Sequence, residues 1–181
     1  METLLKTQWL IDTTHSEITF KVKHLMISSV KGAFRKFNAE VSSEGESFSD
    51  ATVDLDIDVS SIDTGDTQRD AHLRGVDFFD TEKYPNIQFK TVQFENAGSG
   101  IYNLSGNLTM HGVTKPVQLK AELGGIAKDP WGNKKAGFTV EGVINRKDWD
   151  LNWNAALEAG GVLVSEEVKI VAEIQLIKQA E

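Results

Sequence analysis

The sequence predicts an all-β protein, an antiparallel barrel of eight strands, from three observations. Apolar and polar residues alternate along most of the chain, which is typical of strands with one buried face and one wet face. No segment has the length and period of the helices in an α/β unit. Eight such strands form either two packed sheets or a barrel, and inward-facing glycines at Gly32, Gly106 and Gly142 favour bent strands and closure.

The alternation defines the strands in chain order. They cover residues 17–24, 30–41, 51–59, 86–94, 101–110, 113–123, 136–145 and 166–178. The phase slips by one residue between Phe34 and Phe37 and again after Phe89, as a β-bulge would cause. Val92 and Phe94 are expected to face inward after the second slip. Residues 124–133, which contain a proline and three glycines, predict a loop.

Two short helices are predicted at the ends of the barrel. One covers residues 66–77 with Asp66 as its N-cap, and the other covers residues 153–160 and ends at Gly160. The first belongs to residues 56–85, the longest excursion between two strands, in which charged and aromatic residues are dense. This stretch is predicted to form the lid and rim of one barrel mouth.

Length and composition limit the classes of function. A chain of 181 residues is expected to form one domain, residues 1–181. The net charge of -8 argues against nucleic acid and anionic membrane surfaces, and no cluster of Lys and Arg is visible in the sequence. No apolar run approaches the ~18 residues of a membrane helix. Without cysteine, disulfides and thiolate metal sites are excluded.

The N-terminal residues predict localisation. METLLKTQWLID has one lysine and no long apolar core, so it does not resemble a secretory signal. A cytoplasmic protein is expected from the chain as written, and a periplasmic one if a signal has been removed.

Three patterns could carry chemistry, and each is weak. Asp54, Asp56 and Asp58 have the spacing that begins a calcium loop, but valine stands where its glycine is required and glycine where its glutamate is required. A triad of Asp12, His15 and Ser16 is disfavoured because neighbours on a strand point to opposite faces. The chain has no G-x-S-x-G motif either.

Histidine and arginine residues offer the remaining polar candidates. His24 is in phase with inward apolar residues, so it is either a hydrogen-bonded interior histidine or an anchor for a ligand headgroup. A zinc site built from His24 and His72 with a carboxylate is possible, without a spacing motif to support it. Arg69 and Arg146 either form structural ion pairs or meet an anionic or polar headgroup.

Several segments together resemble one known family. They are HSEITFKVKH, VKGAFRKF, SIDTGDTQRDAHLRGVDFFDTEKYPNIQF, LSGNLTMHGVTKPVQL and INRKDWD. From about Trp9 to Ile177 the chain resembles the YceI-like family of lipocalin-like polyisoprenoid-binding proteins, many of which are periplasmic. One departure is Asp148-Trp149-Asp150, where the family often has Asp-Phe-Gly.

The resemblance implies a lipocalin-like barrel with an elongated apolar pocket and, commonly, a homodimer. The implied ligand is a long amphiphile, such as a polyprenyl phosphate, an isoprenoid quinone or a fatty amide, which the protein binds and sequesters or carries. No cofactor, metal or catalytic residue is expected. The expected ligand-binding residues are Phe20, Val22, His24, Phe34, Leu55, Ile57, Arg69, His72, Phe78, Phe79, Phe89, Leu104, Leu108, Leu119, Phe138, Val140, Ile144, Arg146, Trp149, Ile170 and Ile174.

The size of the barrel limits the ligand. Strands of about 10 residues tilted by about 40° make a barrel roughly 25 Å tall, so a tail of about four or five isoprene units is expected to fit inside. Two alternatives stay open at this point. One is an enzyme that acts on a lipid with His24 as its acid or base, and the other is a filled barrel without a ligand that acts through its surface.

Overall fold

The computed structural model describes residues 6–155 and 163–180, in which one antiparallel sheet of eleven strands closes on itself. The strands are β1 (Thr7–Ile11), β2 (Glu17–His24), β3 (Ser28–Phe34), β4 (Phe37–Glu44), β5 (Ser47–Asp58), β6 (Ile62–Asp63), β7 (Asn86–Gly98), β8 (Ile101–Met110), β9 (Val113–Lys128), β10 (Lys134–Asn145) and β11 (Val164–Lys178). The helices are α1 (Thr67–Arg74) and two 3-10 helices, Val59–Ser61 and Arg146–Trp149.

The eleven strands make an eight-stranded barrel because three of its strands are each broken in two. β1 and β2 form the first broken strand, and both pair with β11. β4 and β3 form the second, with β4 paired to β1 and β3 paired to β2. β5 and β6 form the third, with β5 paired to β4 and β6 paired to β3. The ring closes at β1, where Trp9 is opposite Val41 of β4 and Lys178 of β11. The predicted eight-stranded antiparallel barrel is therefore confirmed.

The two predicted phase slips have different structural causes. The first is a break between β3 and β4 at Arg35 and Lys36. The Arg35 N–H donates to Ser61 O in the 3-10 helix Val59–Ser61, and Lys36 O accepts from the Asp58 N–H at the end of β5. The second is a bulge in β7, where the register jumps between Thr91 and Gln93. Val92 is the extra residue and is 70% exposed, so the prediction that it faces inward is wrong, whereas Phe94 is buried as expected.

Inward glycines make room for large side chains on neighbouring strands. Gly32 lies opposite Phe20, and a Cβ at Gly32 would overlap the ring of Phe20. A Cβ at Gly106 would likewise meet the ring of Phe89 from the adjacent strand. These close approaches let bulky residues turn inward in a strongly curved sheet.

Two other strand boundaries differ from the prediction, because the alternation of apolar and polar residues there is too short or too irregular. β1 was not predicted, because its five residues contain only two full alternations. Residues 124–128, predicted as loop, extend β9 past a register shift opposite Gly137 and Phe138. The turn is confined to residues 129–133.

The first predicted helix is present and the second is not tested in full. α1 begins as expected, with Asp66 accepting hydrogen bonds from the backbone N–H groups of Gln68 and Arg69 at 3.0 and 3.1 Å. It ends earlier than predicted, at Arg74. Residues 153–155 are not helical, and residues 156–160 of the second prediction lie outside the described residues. No helix in the described ranges is long and apolar enough to cross a membrane.

The aspartates of β5 have structural roles. Asp54 and Asp56 face solvent, as strand alternation predicts. The carboxylate of Asp58 accepts a hydrogen bond from Ser60 N at 3.0 Å and caps the following 3-10 helix. Within residues 6–155 and 163–180, no group of three or more His, Asp or Glu side chains is placed to hold a metal ion.

A buried carboxylate holds the corner between β1 and β2. Asp12 is buried, and its side chain accepts hydrogen bonds from Thr14, His15 and the ammonium of Lys135. The Asp12 backbone N–H donates to Gln175 O at 2.8 Å, and Ser16 Oγ accepts from Gln175 N. Asp12 and His15 therefore do meet, but Ser16 is committed to β11, and the cluster fastens a bend instead of forming a triad.

We predict that Asp12→Asn lowers the free energy of unfolding at neutral pH by about 1.5–3 kcal/mol, measured by urea unfolding. The hydrogen bond from Lys135 holds the pKa of the Asp12 carboxyl well below its usual range. Because the folded-state pKa is lowered, the ionised Asp12 carboxylate stabilises the fold fully at pH values above the unfolded pKa of about 3.9. This stabilisation is lost as the pH falls below that value. The difference between wild type and variant should therefore shrink below about pH 4.

Glu46→Gln is the control, because its ion pair with Lys134 is exposed and should contribute little. Equal stability of wild type and Asp12→Asn at neutral pH would contradict the role of Asp12.

Candidate functional site

A continuous cavity of about 410 Å³ runs inside the barrel. Inward side chains from most strands line it, and nearly all of them are apolar. A cavity of a few hundred cubic ångströms with a few polar groups is typical of small-molecule sites. The barrel is therefore not filled by side chains, and action through its surface stays a hypothesis.

The predicted ligand-binding residues meet at this cavity with one exception. All of them except Trp149 contribute to its lining. Strand phase explains this position, because side chains at every second residue of a strand face the interior. Phe78 and Phe79 follow α1 and are not in a strand, yet both line the cavity.

Aromatic side chains close one end of the cavity. Trp9 and Phe48 are completely buried, with ring centroids 5.2 Å apart, and Phe48 packs edge-on against Phe138 at 4.9 Å. Trp9 Nε1 donates to Ser43 Oγ at 2.8 Å, so the indole has a polar partner in this buried position. Ile11, Phe48 and Phe94 also line the cavity and were absent from the predicted set.

The opposite end, which we call the mouth, carries the polar residues. It is formed by α1, the β2–β3 turn and residues 146–155 and 163–164. Trp153, which sequence reasoning assigned to a helix, packs against His72 and Phe78 with ring centroids 4.8 and 5.3 Å away. Thr64, Leu73, Leu163 and Val164 complete this rim and were likewise not predicted.

Arg69 at the mouth is only partly satisfied by the protein. Its Nε donates to Thr64 Oγ1 at 2.7 Å, and Nη2 donates to Thr64 O at 2.8 Å. Asp70, its buried neighbour, accepts instead from the backbone and hydroxyl of Thr64. Among the described residues, no carboxylate forms an ion pair with Arg69. Its Nη1 donates no hydrogen bond to a described residue.

Arg146 is buried and fastens the chain around the mouth. Its guanidinium donates to the carbonyl oxygens of Leu151, Trp153, Val164 and Ser165, at 2.5 to 3.3 Å. Burial lowers the pKa of Arg146 from its ordinary value, because desolvation disfavours the charged form. No described carboxylate pairs with it, since Glu166 bonds Lys147 at 2.8 Å. A second unpaired cation therefore borders the cavity.

The two histidines at the mouth differ in their partners. His72 Nε2 lies 2.9 Å from Asp77 Oδ2, and the pair is partly exposed. The ring of His24 is half-buried at the cavity wall and makes no hydrogen bond to any described residue. Of its two sequence interpretations, the hydrogen-bonded interior histidine finds no partner in this part of the chain.

Trp149 is the one predicted site residue that lies away from the cavity. It is buried in the 3-10 helix Arg146–Trp149, where strand alternation no longer sets the direction of the side chain. Its Nε1 donates to Leu108 O at 2.9 Å, and its carbonyl accepts from His111 Nδ1. Asp150 then adopts φ 58°, the left-handed region that favours glycine. The residues Trp149 and Asp150, which stand where the family often has Phe and Gly, therefore lie in a turn outside the cavity.

We predict that Trp149→Phe lowers the free energy of unfolding by about 1 kcal/mol, because it removes the buried hydrogen bond from the indole Nε1 to Leu108 O. Uptake of an apolar fluorescent probe by the folded variant should match wild type. Weaker uptake at a temperature where the variant is fully folded would instead assign Trp149 to the binding site.

Comparison with known proteins identifies the family. A model of the YceI-like domain matches residues 9–176. A UPF0312 protein of Vibrio parahaemolyticus is 38% identical over 145 residues, 79% of this chain and 77% of the relative. The crystal structure of a Campylobacter jejuni YceI protein superposes with a TM-score of 0.76 and 31% identity, over 100% of this chain and 99% of that one.

A more distant structure shares the fold. A domain from Saccharophagus degradans, described as a polyisoprenoid-binding domain, superposes with a TM-score of 0.66 and 18% identity, over 98% of this chain and 100% of that one. Family model, relatives and fold agree with the motifs found in the sequence. The chain belongs to the YceI-like domain family.

Proposed function

We propose that this YceI-like protein binds one long-chain amphiphile, with the tail inside the barrel and the polar head at the mouth, and so sequesters or carries it. The observation that carries the proposal is a continuous apolar cavity, closed by aromatic side chains at one end and bordered by unpaired arginines at the other. A ligand with an apolar tail and a polar head matches both environments.

The tail supplies most of the binding free energy. Burial of each CH₂ group is worth about 0.8 kcal/mol, so a buried chain of ten carbons gains about 8 kcal/mol, which is comparable to the roughly 4–15 kcal/mol that association costs. Few polar groups line the wall, so chain length and shape should matter more than specific hydrogen bonds. The fit of about four or five isoprene units stays a prediction.

The head is proposed to be polar or anionic. Arg69 has an uncommitted Nη1 group at the cavity edge, and a guanidinium recognises phosphate or carboxylate well. Arg146 adds positive charge in a desolvated position, although carbonyl oxygens already take most of its donors. The polyisoprenoid described for the Saccharophagus degradans domain, which has the same fold, supports a ligand of this class.

We predict that Val140→Phe weakens uptake of a long-chain isoprenoid quinone by about tenfold or more. Val140 lines the cavity, and a larger side chain there displaces two or three ligand carbons, each worth about 0.8 kcal/mol. The matched control is Val143→Phe on the same strand, where the side chain is 54% exposed and points away from the cavity. Uptake is measured by tryptophan quenching, and the lipid retained after purification by organic extraction and mass spectrometry.

Two outcomes would contradict the proposal. One is protein that neither retains lipid nor takes up isoprenoid quinones, polyprenyl phosphates or fatty amides. The other is equal uptake by both variants while both remain folded, which would place the ligand outside the barrel.

A further inference from the structure

The β2–β3 hairpin exposes three apolar side chains at its tip. Leu25, Met26 and Ile27, which we call the apolar tip, are 37%, 57% and 83% exposed. Leu25 and Met26 adopt φ angles of 56° and 59°, a left-handed conformation that usually belongs to Gly, Asn or Asp in hairpin turns. The exposure of these apolar side chains and the left-handed backbone of Leu25 and Met26 both destabilise the fold. Packing within the fold therefore does not explain why apolar residues occupy this turn.

The apolar tip is continuous with the cavity mouth. Lys23 and His24, which precede it, both contribute to the cavity lining. The Leu25 backbone N–H donates to Leu163 O at 2.9 Å, and Leu163 lines the cavity too. A surface that covered the tip would therefore also face the opening through which a ligand passes.

A row of lysines crosses the outer face of the sheet behind the tip. Lys169 of β11 is directly opposite Lys21 of β2, which is directly opposite Lys31 of β3. All three are exposed, and none forms an ion pair with a described residue. Like charges directly opposite on neighbouring strands destabilise a sheet, so the row costs stability unless an anion faces it.

The charge on this face changes along the barrel axis. Glu17 and Glu173 are opposite each other at the end remote from the tip. On the tip side of the row, β11 carries one acidic residue next to it, Glu167, two residues from Lys169. The lysine row lies between this acidic end and the tip, with Lys23 closer still. The chain carries a net charge of -8, so the basic face stands out against an acidic surface.

We propose that the apolar tip and the lysine row dock the protein on an anionic lipid bilayer, with the cavity mouth facing the membrane. Apolar side chains enter the boundary between headgroups and acyl chains, and the lysines contact anionic headgroups. The area that three side chains can bury is far below the roughly 800 Å² per partner of a stable protein interface, which disfavours a second copy of the chain as the occupant. The inference goes beyond the proposed ligand, since docking depends on the outer surface alone.

The test is flotation of the full chain with vesicles. Wild type should float with mixed phosphatidylglycerol and phosphatidylcholine vesicles at low salt, and should not float at high salt or with pure phosphatidylcholine. The double variant Met26→Ser, Ile27→Ser should lose binding by about tenfold or more. Its control is Trp131→Ser, which removes an apolar residue that is 84% exposed at the opposite end of the barrel and should change nothing.

A charge pair completes the design. Lys31→Glu should weaken flotation several-fold, whereas Lys120→Glu, the same change of net charge on β9, should not.

Val140→Phe should float like wild type, because docking does not need the cavity. Loss of flotation in this variant would instead indicate that the protein captures a lipid as its ligand. Failure of wild type to bind anionic vesicles would overturn the proposal. So would a concentration-dependent dimer, seen by sedimentation velocity, that the tip variant abolishes.

Discussion

The closure of the sheet at β1 is the constraint on which the rest of the structure depends. β1 has partners on both sides, β4 and β11, so the hydrogen-bonded ring has no free edge there. The first strand can reach both partners only because it bends between β1 and β2, where Asp12, Lys135 and Gln175 hold the corner. A ring of eight strands is wide enough to leave room for one ligand, and no described helix crosses its interior.

The two ends of the barrel differ in a way that gives the cavity a direction. At one end large aromatic side chains pack together, and the indole of Trp9 is satisfied internally by Ser43. At the other end, residues 64–85 and 146–155 lie outside the sheet and bring cationic and aromatic groups to the opening. Arg146 fastens the second of these segments through four carbonyl oxygens. Access and headgroup recognition therefore share one end.

Sequence patterns predicted the barrel interior well because strand alternation is a local property. Phe20, Leu104 and Ile170 line the cavity at the positions that phase alone assigned to them. Prediction failed where local pattern does not set direction. Trp149 lies in a 3-10 helix, Val92 is the extra residue of a bulge, and β1 is too short to establish a period.

The lysine row shows a different limit of sequence analysis. Lys21, Lys31 and Lys169 are far apart in the chain, so no cluster of basic residues is visible in the sequence. Strand pairing places them side by side. The net negative charge of the chain argued against binding to anionic surfaces. The register of three strands nevertheless produces a local basic patch on the outer face of the sheet.

The most direct test of the central claim is photo-crosslinking with an isoprenoid that carries a diazirine at the end of its tail and an anionic headgroup. If the tail lies inside the barrel and the head at the mouth, the label should attach near the closed end, at Phe48, Phe94 or Phe138. Peptide mapping by mass spectrometry locates the adduct. Labelling at the mouth, near His72 or Trp153, or on the outer face of the sheet, would contradict the proposed orientation.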